Sequence, residues 1–376
     1  MRIIFIILCT TLLVLTGCTQ HPVEAESNNS LDSLPVQNSE DTKNPYNTER
    51  DMSRYENGKA SASFLSIESS WVLHDGILYY KDPQDHGRVW KYNMGSAEKE
   101  YFLLPDEYRF ASGLNQDGYF FGLKNRSGIT ERGILNINDG LFEKIDWLSS
   151  INSFQMALYK GNIFLVDMEN GFGSLDMYDL YGNHKKAICP DYVENFGIID
   201  DSVYFHPFLE DLNNKDAHGN KIMRFDITTG EIETAFEFEI GKEPQLGGGR
   251  TIYEYQPYTY YDKRNIIIAN KRQTFVYTSV DDIDLKEIVF ESSSDFDFPY
   301  YVPSIGDNLY FCFYNADERD TEGDLFGYYE YYIVIQGTTE PIKLKQFDYA
   351  DAMFFMDGYL YYLDEDGNIA QEWMHD

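Results

Sequence analysis

Three stretches of this 376-residue chain concentrate side chains able to bind or react. Residues 206–220 hold His206, Glu210, Asp211, Asp216 and His218, and residues 314–328 hold Asp317, Glu318, Arg319, Asp320, Glu322 and Asp324. Oxygen-rich loops of this kind can hold Ca²⁺. Neither has the spacing of an EF-hand, however, and the loop Asp364-Glu365-Asp366-Gly367-Asn368 lacks the distal Glu. His206 and His218 stand in an irregular stretch that matches no metal-ligand spacing, so no metal or cofactor is expected. Between these stretches, residues 241–257 contain Gly247-Gly248-Gly249-Arg250 and then Tyr253 and Tyr255, with Tyr258, Tyr260 and Tyr261 following. No Walker lysine follows the glycines and no helix opens after them, which removes the mechanical basis of a phosphate cradle. An arginine among tyrosines suits a sugar or a peptide instead, through ring stacking and hydroxyl hydrogen bonds. The same tyrosines would also serve as strand faces.

The candidate ligand-binding residues are therefore His206, His218, Arg250, Tyr253, Tyr255, Tyr258, Asp317 and Arg319. No residue is assigned a catalytic role. The chain has no Gly-x-Ser-x-Gly elbow and no His-Glu-x-x-His. A pair of carboxylates for glycoside hydrolysis needs a defined separation, and among 63 acidic residues a pair cannot be picked out by eye. The reading that follows is a non-catalytic module binding a protein, peptide or glycan. A polysaccharide- or peptide-active enzyme is the alternative.

The N-terminus carries a targeting pattern. Arg2 precedes an apolar run over residues 3–14, interrupted by Cys9, Thr10 and Thr11. That run is too short to cross the roughly 30 Å of a bilayer core as a permanent helix. It ends in Leu15-Thr16-Gly17-Cys18, which resembles the lipobox of bacterial lipoproteins. The resemblance implies that residues 1–17 are a signal peptide removed after the Cys18 thiol has received a diacylglycerol. Each buried acyl methylene contributes about 0.8 kcal/mol, so two or more chains hold where one does not. The expected location is the cell membrane, lipid-anchored, on the extracytoplasmic side. Residues 18–58 are rich in Ser, Asn, Asp, Glu and Pro and cannot bury enough apolar area to fold. As a flexible tether they would span on the order of 35 Å.

A net charge of −33 gives the body no electrostatic reason to bind nucleic acid, whose phosphates would repel it. The same repulsion disfavours lying flat on anionic lipid.

From residue 59 onward, short runs of Tyr, Phe, Ile and Val are bounded by Gly, Asn and Asp, which is strand-and-turn chemistry. No convincing helical period is present. An apolar strand, a tight turn and an aromatic strand recur around Asp75-Gly76, Asp117-Gly118, Gly161-Asn162, Asp200-Asp201, Arg264-Asn265, Asp307-Asn308 and Asp357-Gly358. Their mean spacing of about 47 residues suits four-stranded units and an all-β β-propeller over residues 59–376. Seven blades are expected, with six, eight or a β-sandwich as alternatives. The last unit has three recognisable strands, so residues 59–67 are expected to add its outer strand and close the ring. In this register Cys189 and Cys312 stand three blades apart, as unpaired buried thiols. The pattern is also similar to low-density-lipoprotein-receptor-like propellers and to propeller domains of Gram-positive lipoproteins, although the Tyr-Trp-Thr-Asp signature is absent. The three chemistry-bearing stretches would then share one face, opposite the tight turns, where long loops on a rigid scaffold carry binding. Cys18→Ala is expected to release the protein from membranes or leave an uncleaved precursor. Normal processing and fractionation of that variant would disprove lipidation.

Overall fold

The computed structural model describes residues 71–375 outside 83–87, 103–107, 115–118, 127–128, 137–141, 152, 168–172, 191, 209–220, 239–257, 263, 272–273, 291–298, 320–324, 346–351 and 365. These described residues belong to one compact unit, residues 46–376. They are almost entirely strand. Seven four-stranded sheets follow one another along the chain, over residues 71–101, 108–144, 153–189, 192–237, 258–289, 299–343 and 352–373. Within each sheet the strands pair with their chain neighbours as an antiparallel meander, save for one parallel pair in the seventh. The first strands of successive sheets lie side by side: Tyr108–Leu114 beside Ser153–Tyr159, Tyr192–Ile199 beside Tyr258–Asp262, and Pro299–Val302 beside Ala352–Met356. This repetition of consecutive meander sheets is the architecture of a β-propeller.

Local chemistry accounts for the recurrent turns. The hairpins at Asp75-Gly76 and Asp357-Gly358 have positive φ at both central residues, 49° and 74° in one and 50° and 83° in the other. Such turns match the right-handed twist of the strands they join. Every expected turn for which both flanking strands are described falls between the first and second strands of its sheet. The sixth differs. Its connection carries an extra strand, Ser304–Ile305, which pairs in parallel with Ala352–Met356 of the seventh sheet. That sheet therefore reaches four strands by an addition beside its first strand. The expected addition from residues 59–67 would sit on the opposite edge, and those residues lie outside the described residues. A second departure is a short 3-10 helix, Asp146–Ser150, between the second and third sheets. It docks there because Trp147 donates its Nε1–H to the Leu180 carbonyl at 3.2 Å.

The core is the set of interfaces between sheets. Phe164, Val166 and Leu175 of the third sheet meet Val193, Phe196, Val203 and Phe205 of the fourth. Tyr261, Ile266 and Ile268 of the fifth meet Ile199 and Ile222 of the fourth. Leu78 and Tyr80 of the first sheet share a cluster with Phe354, Tyr361 and Leu363 of the seventh, and the Lys99 ammonium donates to the Gly367 carbonyl at 2.9 Å across the same pair. Burial on both faces explains why the middle strands read as apolar runs instead of alternating. The second strand of the third sheet, Asn162–Asp167, is buried at its four central residues, whereas the last strand of the fifth, Asp282–Val289, is almost wholly exposed. Cys189 and Cys312 are buried and form no disulfide, in the third and sixth sheets. Burial pushes the Cys312 thiol up to about 12.

Candidate functional site

The connectivity of the meanders sorts the chain connections by end. First-to-second and third-to-fourth turns leave one end of each sheet, and the remaining connections leave the other. Residues 209–220 join the second and third strands of the fourth sheet, residues 239–257 lead from the fourth sheet to the fifth, and residues 320–324 join the second and third strands of the sixth. The strand ends that flank all three lie opposite the tight turns. His218, Arg250, Tyr253 and Tyr255 lie outside the described residues.

The other candidates are held differently from the expectation. His206 is not a loop residue. It belongs to the strand Ser202–Phe208, is only 8% exposed, and packs against the Phe238 ring with centroids 5.7 Å apart. The stretch 314–328 is largely a paired hairpin: Leu309–Arg319, which contains Asp317 and Arg319, runs antiparallel to Leu325–Val334. Backbone pairing continues outward from Tyr314↔Tyr329 to Arg319↔Leu325, with a register shift between Ala316 and Glu318. Tyr258 opens the strand Tyr258–Asp262.

The first strands are tied to one another by buried polar side chains. The Gln155 amide reads both backbone groups of Phe196, donating to its carbonyl at 2.9 Å and accepting from its N–H at 3.0 Å. The Asn195 amide donates to the Thr259 carbonyl in the next sheet. Tyr301 donates to the Asp262 carboxylate. Burial first, and the neighbouring Asp262 charge second, push the Tyr301 phenol well above its ordinary value. Beside Asn195, Gly197 lets the Tyr261 side chain pack against the backbone; a Cβ there would meet the tyrosine Cβ at 2.4 Å and its ring Cγ at 2.5 Å.

Two more buried carboxylates are engaged. Asp176 accepts from Ser174 at 2.6 Å and contacts His184 Nε2 at 2.8 Å. The serine bonds to the carboxylate and not to the imidazole, which is the wrong order for an activated nucleophile. Glu330, 2% exposed, accepts from Tyr332 at 3.0 Å and from Lys343 at 2.6 Å. Asp176, Asp262 and Glu330 stand in three different sheets. Among the described residues no three His, Cys, Asp or Glu side chains cluster as a metal site.

One signal escaped the sequence reading. Asp179 and Asp226 each end a third strand and Asp364 follows the second strand of the seventh meander; each carboxylate accepts two backbone N–H groups of the turn that follows. A glycine of positive φ completes each turn, at Gly182, Gly230 and Gly367. The acidic loop at 364–368 is thus turn chemistry of a recurrent kind. An Asp three or four residues before a Gly, at the end of a strand, was the pattern to look for.

At the tight-turn end, ion pairs bridge successive sheets. Arg264 grips both oxygens of Asp200 in the neighbouring sheet at 2.8 Å and reaches Asp281 within its own at 2.6 Å. Both Tyr159 and Lys160 bond Asp201. The Lys160 bond, with help from Tyr159, holds the Asp201 carboxyl below the ordinary range.

No family model matches the chain, and no curated protein does. Among solved structures, the chain is similar to the β-propeller domain of the Trilobed protease from Pyrococcus furiosus, at 12% identity over 83% of this chain and 93% of that one, with a TM-score of 0.47. It is similar to the Cps50 (Swd1) β-propeller domain of Myceliophteria thermophila, at 10% identity over 84% and 99%, with a TM-score of 0.47. A polysaccharide lyase of family PL25, an ulvan lyase, gives 10% identity over 85% and 94%, with a TM-score of 0.46. The architecture rests on the sheet order itself, and these likenesses add nothing about chemistry.

A carboxyl held low in the folded state stabilises the fold above its ordinary pKa, and that contribution disappears as pH falls through the folded value. The stability gap between wild type and Asp201→Asn is therefore expected to be largest near neutrality and to shrink below about pH 4. Because the pair is half exposed, the gap should also narrow in high salt. Denaturant midpoints measured across pH and salt check this; a gap independent of both would refute the pairing.

Proposed function

We propose that this chain is a lipid-anchored extracytoplasmic lipoprotein whose propeller binds a protein, peptide or glycan without transforming it. The observation that carries the reading is the unequal length of the connections. Hairpins such as Asp75-Gly76 and Asp357-Gly358 close one end in two residues, whereas residues 209–220 and 239–257 elaborate the other. Elaboration confined to one end of a rigid scaffold is the arrangement of a binding platform. His218, Arg250, Tyr253 and Tyr255 belong to that end, and Tyr258 and the hairpin bearing Asp317 and Arg319 adjoin it. The engagement of Asp176, Asp262 and Glu330 in ion pairs and hydrogen bonds supports binding over catalysis.

Cys18 is the proposed point of attachment, with residues 18–58 as the tether. The propeller is proposed to have seven blades, closed by residues 59–67 against Ile369–Trp373 in the seventh sheet. The shared apolar cluster of the first and seventh sheets supports closure.

Replacing residues 209–220 and 239–257 with short Gly-Ser linkers is expected to abolish capture of an envelope partner or of glycans on an array while leaving the melting temperature within a few degrees of wild type. Retention of every partner would sink the site; hydrolysis or elimination of a captured glycan would establish the enzymatic alternative. Deleting residues 59–67 is expected to lower the melting temperature of the whole domain, and an unchanged transition would count against closure.

A further inference from the structure

The last strand of the fifth sheet is an anomaly. Asp282–Val289 runs for eight residues, whereas the fourth strands of the other meanders, and the last strand of the seventh sheet, have three to six. It ends its sheet, pairing only with Thr274–Ser279 among the described residues. Alternate residues of an edge strand turn their N–H and C=O groups outward, where another chain can bond them. Proteins usually blunt such an edge by shortening it, covering it or setting lysines along it. Here Ile283, Leu285 and Val289 are 61%, 40% and 57% exposed. Alternation puts them on one face with Glu287, and puts Asp282, Asp284, Lys286 and the buried Ile288 on the other, with a register shift in the ladder between Asp282 and Lys286.

We propose that this edge accepts an extended segment of a partner protein as a fifth strand, and that the segment alternates apolar with basic residues. A strand added here has side chains on the same two faces. On one face its residues come beside Ile283, Leu285 and Val289, which favours Val, Ile or Leu. On the other they come beside Asp282 and Asp284. On this face Lys286 pairs with Asp282 at 3.9 Å while lying over the Tyr277 ring at 5.7 Å, so that Asp284 gives the face its net negative charge. Lysine or arginine is the complementary choice. The net charge of −33 steers a basic segment in and repels a second copy of this chain. Backbone bonding supplies affinity and the alternating faces supply selectivity, as in other strand additions. Eight residues at about 3.3 Å each give a site roughly 26 Å long. It lies on the edge of the fifth sheet and involves none of the residues proposed above for ligand binding.

The test titrates the full-length protein into two fluorescein-labelled peptides of about nine residues, one alternating Val and Lys, the other Val and Glu, and follows anisotropy. The basic peptide is expected to bind saturably and the acidic one at least about tenfold more weakly. Ile283→Ser with Leu285→Ser, and separately Asp282→Asn with Asp284→Asn, should each weaken the basic peptide by about tenfold. These residues are exposed, so both variants should keep the wild-type melting temperature. Backbone amides of residues 282–289 should gain protection from hydrogen exchange in the complex. Equal binding of both peptides overturns the proposal. So does a basic peptide that responds to salt and to the Asp variant but not to the Ile/Leu variant, which would mark diffuse attraction to an acidic surface. A concentration-dependent dimer in sedimentation, lost in the Ile/Leu variant, would make a second copy the occupant and overturn it equally.

Discussion

Phe290 lies among Phe275, Phe311, Phe313 and Tyr332, with ring centroids 4.9 to 5.8 Å away. Phe275 belongs to the fifth sheet and the other three to the sixth, so this aromatic packing is what joins one blade to the next. Burial of such a ring contributes about 1.5–3 kcal/mol, with a further increment for favourable edge-on geometry. A four-stranded sheet alone has two faces and nothing to cover them; its stability comes from its neighbours. Every other feature depends on that constraint. The middle strands must be apolar on both faces, the last strands are released to solvent, and polar groups in the first strands must find partners as they are buried.

The last of these conditions bears directly on function. A buried amide or carboxylate left without a partner costs about 1–3 kcal/mol or more. Gln155 and Asn195 meet that condition by bonding across to the adjacent sheet, and one oxygen of Asp262 accepts from Tyr301 across the next interface. They fix the relative positions of successive first strands, which adds specificity to an otherwise non-directional apolar interface. These bonds hold the scaffold together, and the chain connections and exposed edges are the parts of the chain that face a partner.

Exposed charge plays a smaller part. Arg264 and Lys160 link turns of neighbouring sheets, but their carboxylate partners are largely solvated, and such pairs contribute little individually. Their value lies in orientation at the turn end, where few side chains are buried. The edge strand Asp282–Val289 shows the opposite situation: backbone bonding capacity and aliphatic side chains remain in solvent together, which most folded proteins avoid.

The sequence by itself determined what depends on adjacent residues. Asp75-Gly76 and Asp357-Gly358 specify their turns because both central residues need positive φ, a local demand. The spacing of such turns then specified four-stranded repeats, and the separation of Cys189 from Cys312 in that register specified two thiols without a disulfide. Tertiary structure decided what depends on distant partners. His206 is a core residue because its strand has Phe238 and the fifth sheet beside it, and neither neighbour is visible from the surrounding letters. Asp364 caps a turn, although its loop has the composition of a cation site, because two backbone N–H groups reach its oxygen first. Ser304–Ile305 joins the seventh sheet from a connection in the sixth, since a parallel pairing between segments some fifty residues apart leaves no local pattern. Hydrophobic runs declare that a strand will be buried; only the assembled interfaces say against what.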